Sequence, residues 1–151
     1  MYPEKLTHLI YSSAATPEFN PADLTTIMQI ARSKNAQQSI TGMLLYTAGS
    51  FFQVLEGDEA RLTELFARIS LDPRHRNVTK IIQEPIAQRS FGHWTMGCVE
   101  VAPTELEKIE GLNDFFQHGS SLTNLDSGRA KKLLSAFVYG RWRAPLKGDA
   151  K

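Results

Sequence analysis

Phe51-Phe52-Gln53-Val54-Leu55-Glu56 is apolar on both sides of an extended chain and is interrupted by one amide. Strand side chains alternate, so Phe51, Gln53 and Leu55 share one face while Phe52 and Val54 take the other. Gln53 thus stands among large apolar groups, where its donor and acceptor need partners. The pattern recurs in Leu9-Ile10-Tyr11-Ser12-Ser13, with Tyr11 beside Leu9. It returns in Trp94-Thr95-Met96-Gly97-Cys98, where Trp94 and Met96 share a face. If these faces converge, a phenol, an amide, an indole and a thioether line one hollow suited to something polar and flat.

Working outward, Gly42 to Thr47 and Ser50 to Glu56 are two apolar runs around the short connection Ala48-Gly49, which predicts an antiparallel hairpin. Leu6 to Ser13 is the first strand. Asn20 as cap, Pro21 at the first helical position and Asp23 near the positive end start a helix. Leu24, Ile27, Met28 and Ala31 form its apolar stripe through about Lys34. Gly57-Asp58 interrupts the hairpin's second strand and caps another helix, with Leu62, Leu65, Phe66 and Ile69 on its buried face and Glu64 paired to Arg68. Leu71-Asp72-Pro73 stops it. Val78 to Ile82 is a fourth strand, Pro85 to His93 a polar connection, and Trp94 to Val101 a fifth strand. The order βαββαββ argues for an α+β, ferredoxin-like mixed five-stranded sheet with two helices on one face.

After Pro103 the pattern becomes helical, with Leu106, Ile109 and Leu112 on one stretch and Ala130, Leu133, Leu134, Phe137 and Val138 on another, joined by Gly119-Ser120-Ser121. Ile10, Phe52 and Val54 would leave the second sheet face apolar and bare, so these helices are expected to cover it or to face a partner. The expected layout is a sheet domain over 1–102, a C-terminal helical extension over 103–143 and a flexible tail over 144–151.

Composition narrows the function classes. With 17 basic against 16 acidic residues there is no broad footprint for nucleic acid. The single cysteine, Cys98, excludes an internal disulfide framework and a multi-cysteine zinc site, and fits a reducing, cytoplasmic compartment. No segment approaches a membrane span or a signal peptide. His8, His93 and His118 show no ligand spacing, so no metal is expected.

Taken singly, the candidate residues read as structure. Tyr11 is a core tyrosine, Trp94 and Met96 a packing pair, and Asn35 a helix C-terminal residue. Asp72-Pro73-Arg74-His75 reads as a helix stop and solvated turn, and Gln53 is the hardest to dismiss. Jointly they point further. Leu9 to Ser13, Ile40 to Tyr46, Phe52 to Gly57, Asp72 to His75 and Trp94 to Gly97, in this order and spacing, resemble BLUF domains, the flavin-binding blue-light sensors, over roughly residues 5 to 101. Leu133 to Trp142 resembles the helical extension of short, stand-alone members, in which no catalytic domain follows.

The resemblance implies a non-enzymatic photoreceptor holding FAD, with FMN or riboflavin accepted in some members. It makes Tyr11 the electron and proton donor to the excited flavin and Gln53 the amide between Tyr11 and the ring, which rearranges after light. Trp94 and Met96 would carry the change onward. Asn35 would bond the pyrimidine end of the ring, with Arg74 and His75 nearby and Ile27 and Ile69 sandwiching it. Phe51, Arg68 and Asp72 complete the implied cofactor contacts, and Lys34 receives no role. Signalling would pass to a partner protein, with the terminal helices offering area for a homo-oligomer. The rival is a light-independent ferredoxin-like module or enzyme using Arg74, His75 and Tyr11 on an anionic metabolite.

Overall fold

The computed structural model describes residues 5–17, 19–20, 22, 24–47, 49–92, 96–100, 102–106, 108–109, 112, 122 and 125–139, without the side chains of Thr25, His75, Val99, Pro103, Phe137 and Tyr139. Five strands, β1 (Leu6–Ala15), β2 (Thr41–Thr47), β3 (Ser50–Asp58), β4 (His75–Pro85) and β5 (Gly97–Glu100), form one sheet in the order β4-β1-β3-β2-β5. β1 runs antiparallel to β3 and β4, β2 antiparallel to β3, and β5 parallel to β2. Helices α1 (Leu24–Gln37) and α2 (Glu59–Ser70) are the two crossovers. A short α3 (Pro103–Leu106) and α4 (Ser127–Tyr139) follow the sheet.

The expected two-sided core is present. On one face Leu9, Tyr11, Leu44, Phe51 and Leu55 pack with Met28 of α1 and Leu62 of α2. On the other, Ile10, Met43, Leu45, Phe52 and Val54 pack with Leu106, Ile109, Leu112, Leu122, Leu125, Ala130 and Leu133. The C-terminal stretches therefore cover the second face. Lys131 of α4 also reaches Glu84 on β4 at 3.5 Å, and Glu84 in turn bonds His8 at 3.0 Å.

Several boundaries differ from expectation for identifiable reasons. β3 does not stop at Gly57-Asp58, because Gly57 and Asp58 still pair with Thr7 and Leu6. Asp58 occupies the cap position of α2 without a side-chain cap bond; its Oδ1 accepts the Lys5 N–H at 3.1 Å instead. β1 runs to Ala15 and β4 begins at His75, since the two stay paired to Ala15↔His75 across two irregularities, one of them between Ile10 and Tyr11. β5 is shorter than predicted and begins after Met96, with its pairing to β2 starting at Gly97. Met96 thus lies just before the strand that the sequence placed it in; Trp94, expected to share a face with it, lies outside the described residues, as do His93, Pro21, Asp23, 119–121, Trp142 and the 144–151 tail. Asn20, expected as the cap, has its Oδ1 on the Ala22 N–H at 3.0 Å, whereas α1 itself starts at Leu24.

Two further details hold the β2–β3 pair in place. Gly42 has φ +157°, and a Cβ there would lie 1.9 Å from the Val54 carbonyl oxygen, so β2 and β3 meet only with glycine at this point. Glu56, nearly fully buried, accepts the Ser90 and Phe91 N–H groups at 2.6 and 3.0 Å and the Thr41 hydroxyl at 2.9 Å. Arg89 closes the group on Thr41 Oγ1 and the Glu56 carbonyl. A buried carboxylate is tolerated because each oxygen is hydrogen-bonded and a guanidinium stands beside it.

Candidate functional site

Tyr11 and Gln53 are direct cross-strand partners in the β1–β3 register, so their side chains leave the sheet side by side. The Tyr11 hydroxyl donates to Gln53 Oε1 in a short bond. Gln53 Nε2 donates to Met96 Sδ at 3.3 Å, so the amide nitrogen faces a sulfur that can only accept. Both residues are buried, Gln53 with 8% of its surface exposed and Tyr11 with 1%. Burial first, and the Asp72 carboxylate second, push the Tyr11 phenol far above its ordinary 10.0. The phenol therefore holds its proton throughout the neutral range.

Above this pair opens a cleft of ≈ 260 Å³ between α1, α2 and the sheet. Tyr11, Ile27, Asn35, Phe51, Gln53, Arg68, Ile69, Asp72 and Arg74 all line it. Nine of the ten expected cofactor contacts thus converge, although Tyr11 and Arg74 are far apart in sequence. The side chain of the tenth, His75, lies outside the described residues. Met96 does not line the cleft; it reaches it through Gln53. Trp94 cannot be placed on either side of this contact, since it too lies outside the described residues.

Packing around the cleft explains why the helix stripes are less buried than predicted. Of Leu62, Leu65, Phe66 and Ile69 only Leu62 is fully covered, and of Leu24, Ile27, Met28 and Ala31 only Met28 is. Leu24, Ile27, Leu65 and Ile69 pack against the rim of the core and also form walls of the hollow. Phe19, Tyr46 and Phe51 form a cluster of tilted and edge-on rings with centroids 5.0–5.3 Å apart, of which Phe19 and Phe51 line the cleft. Asn35 sits inside the last turn of α1, not beyond it, and is buried there. Its backbone carbonyl takes the Gln38 and Ile40 N–H groups, and the Arg61 guanidinium donates to the Gln38 carbonyl at 2.8 Å just past the helix end.

Polar groups gather toward the mouth. Asp72 holds Arg74 through Nη2 at 2.5 Å, Nε at 3.0 Å and the Arg74 backbone N–H at 2.9 Å. Arg68 and Lys34 line the same opening, Arg68 with only a loose, exposed contact to Glu64 at 4.0 Å. Lys34, Phe19, Leu24, Met28, Gln38 and Leu65 are lining residues that sequence reasoning missed. For Lys34 the signal was present, since it stands one residue before Asn35. Phe19 lies in a connection whose path sequence does not fix. Among the described residues no cluster of His, Cys, Asp and Glu is built to hold a metal, and no helix is long and apolar enough to cross a membrane.

The donor set matches a flat heteroaromatic ring. Gln53 has one N–H and one oxygen lone pair in use, leaving a second of each at the cleft floor. Aliphatic groups from α1 and α2, Ile27 and Ile69, line the walls on both sides of it. Small-molecule clefts run about 300–1,000 Å³, so this one suits a ring system with the remainder of a larger ligand outside.

Comparison with known proteins agrees with this geometry. The family profile described as "BLUF: Sensors of blue-light using FAD" matches residues 6–97. The photoactivated adenylate cyclase subunit beta of Euglena gracilis is 45% identical over 92 residues, covering 60% of this chain and 11% of that protein. This chain therefore spans about a tenth of the first curated relatives it matches. Among solved structures, "BlsA ground state" superposes with a TM-score of 0.76 at 29% identity, covering 90% of this chain and 89% of that one. "BlrB - a BLUF protein, dark state structure" gives 0.67 at 30% identity, over 89% and 99%. The light-independent module is not favoured by any of these.

Proposed function

This chain belongs to the BLUF family of blue-light sensors, and on that footing we propose that it is a flavin-binding photoreceptor in which Tyr11 and Gln53 carry the light response. The observation that supports the reading is the buried relay from the Tyr11 hydroxyl through Gln53 to Met96 at the floor of a cleft walled by Ile27 and Ile69. FAD is the proposed cofactor, with FMN and riboflavin as ligands of the same ring site. Asn35, Phe51, Arg68, Asp72, Arg74 and His75 are its proposed further contacts, and Trp94 joins Met96 in transmitting the change.

A bound flavin supplies absorption of blue light and, when excited, an acceptor for one electron. Tyr11 is the residue placed to give up an electron, and a phenol that has lost one becomes strongly acidic. Gln53 Oε1, already accepting the hydroxyl, is the atom in line to take that proton. Return of the electron and of this proton to Tyr11 closes the cycle. Reversal of the Gln53 amide, or its tautomer, then makes Gln53 the donor toward Tyr11 and exchanges its bond to the Met96 sulfur, which has no proton to give, for one elsewhere in the cleft. Each hydrogen bond so exchanged is worth about 1 kcal/mol net, enough to bias two arrangements of comparable energy. Asn at position 53 would not span the gap, and Glu would bury an unpaired charge.

Residues 1–102 form the proposed sensing domain, 103–143 its helical extension and 144–151 a tail. The reading assigns no enzymatic activity to this chain. Its output passes to a second polypeptide in the cytoplasm or through changes in a homo-oligomer. The purified chain, mixed with FAD, FMN or riboflavin, is expected to turn yellow and to show a small red shift of its flavin bands after blue light that reverses in the dark. A chain that retains none of the three flavins refutes the assignment.

A further inference from the structure

Arg32 lies on α1 outside the lining of the cleft, yet it reaches the same relay from the far side. Its Nε donates to the Met96 carbonyl oxygen at 2.9 Å, joining α1 to the residue just before β5. Met96 is fully buried, and its sulfur accepts the Gln53 amide at 3.3 Å. A thioether is a weak acceptor on a side chain with three rotatable bonds, so the amide contact alone cannot hold Met96 in one place. Pairing of β5 with β2 starts only at Gly97, so the ladder does not hold Met96 either. Arg32 offers a directed, charge-assisted bond to its backbone. That bond refers Met96 to the helix whose Ile27, Ala31 and Asn35 wall the cleft.

We propose that Arg32 is a positioning residue that pins the Met96 backbone so that the sulfur meets the Gln53 N–H, leaving Gln53 Oε1 for the Tyr11 hydroxyl. The inference rests on the reading of Tyr11 and Gln53 as the light-responsive pair and extends it to a residue that acts through Met96. The relay then ends on α1, so amide reversal at Gln53 is felt by the same helix that holds the ring.

The test uses the flavin-loaded chain labelled with methyl-¹³C methionine, the four methionines serving as separate probes. In darkness Arg32→Gln is expected to move and broaden the Met96 methyl signal while leaving that of Met43, in the opposite face, unchanged. Arg32→Lys, which keeps a cationic donor, restores it in part. After a blue flash Arg32→Gln is expected to slow the return to the dark spectrum roughly tenfold, the consequence of losing one hydrogen bond from a charged group, with flavin uptake unchanged. In a Met96→Leu background, which has no sulfur to position, Arg32→Gln adds little further slowing. An unmoved Met96 methyl in the dark overturns the proposal whatever the light response. Equal slowing with and without the sulfur also overturns it, marking Arg32 as a general prop of the fold. A chain that binds flavin and shows the methyl shift but no light-induced spectrum sinks the photochemical reading and leaves the positioning role standing.

Discussion

The two faces of the same sheet have been put to opposite uses. Ile10, Met43, Leu45, Phe52 and Val54 meet Leu106, Leu112, Leu122 and Leu133 in continuous apolar packing. Across the strands, Tyr11, Leu44, Phe51, Gln53 and Leu55 face α1 and α2 over a ≈ 260 Å³ cleft. Close packing maximises contact and burial, whereas a hollow forgoes both at the place where a ligand can restore them. Both faces carry a buried core, and the cleft face also leaves room for a ligand.

The sharpest challenge to this division is Tyr11→Phe, which keeps the ring in its place and removes the hydroxyl. Flavin uptake is expected to persist and the light-induced red shift to vanish; difference spectra before and after illumination decide the matter, and a surviving shift would remove Tyr11 from its role. Next in size is the contrast between Leu133→Ala and Ile69→Ala in the flavin-free chain. Leu133 is fully buried, so truncation is expected to cost about 2–5 kcal/mol in urea unfolding. Ile69 borders the cleft and already lacks partners on one side, so its truncation costs about 1 kcal/mol or less. Equal losses would mean that the two faces contribute alike.

A smaller effect comes from the phenol. Because the Tyr11 pKa is raised above the unfolded value of 10.0, its contribution is fully present below that pH and is lost as pH rises through the folded value. In an alkaline absorbance titration of the folded chain Tyr11 is expected to ionise well above its ordinary 10.0, and Tyr11→Phe removes that late step. The smallest effect belongs to the filled face. The Glu84 carboxyl is held below its ordinary 4.5, chiefly by the hydrogen bond from His8 and less by Lys131. Its contribution is present above 4.5 and fades as pH falls through the lowered value. Glu84 is 40% exposed, so screening keeps the difference below about 1 kcal/mol. Urea unfolding of Glu84→Gln, at neutral pH and in acid, is expected to show the difference at neutral pH only.

Much of the fold was legible along the chain. Two-residue alternation located β1, β2 and β3, and the Ala48-Gly49 connection set their antiparallel pairing, seen as Thr47↔Ser50. Helical spacing located α1, α2 and α4. Boundaries set by pairing were less legible: Asp58 continues β3 because Leu6 is opposite it, and β5 begins at Gly97, where its pairing with β2 starts. Glu56 illustrates a site-like feature that sequence reasoning passed over. It is a carboxylate closing a buried strand, and the question asked of Gln53, where its hydrogen bonds go, applied to it equally.

Sequence alone established that an amide and a phenol lie in apolar strands, that both faces of the sheet need cover, and which family pattern the residues follow. These are local properties, carried by the two-residue and 3.6-residue periods of the backbone. Tertiary structure decided that Tyr11 stands opposite Gln53, that the Gln53 amide turns its nitrogen to Met96, and that Arg32 holds the Met96 carbonyl. Those contacts join residues separated by 42, 43 and 64 positions, and register and side-chain direction at such distances are fixed by packing of the whole sheet, not by neighbours in the chain.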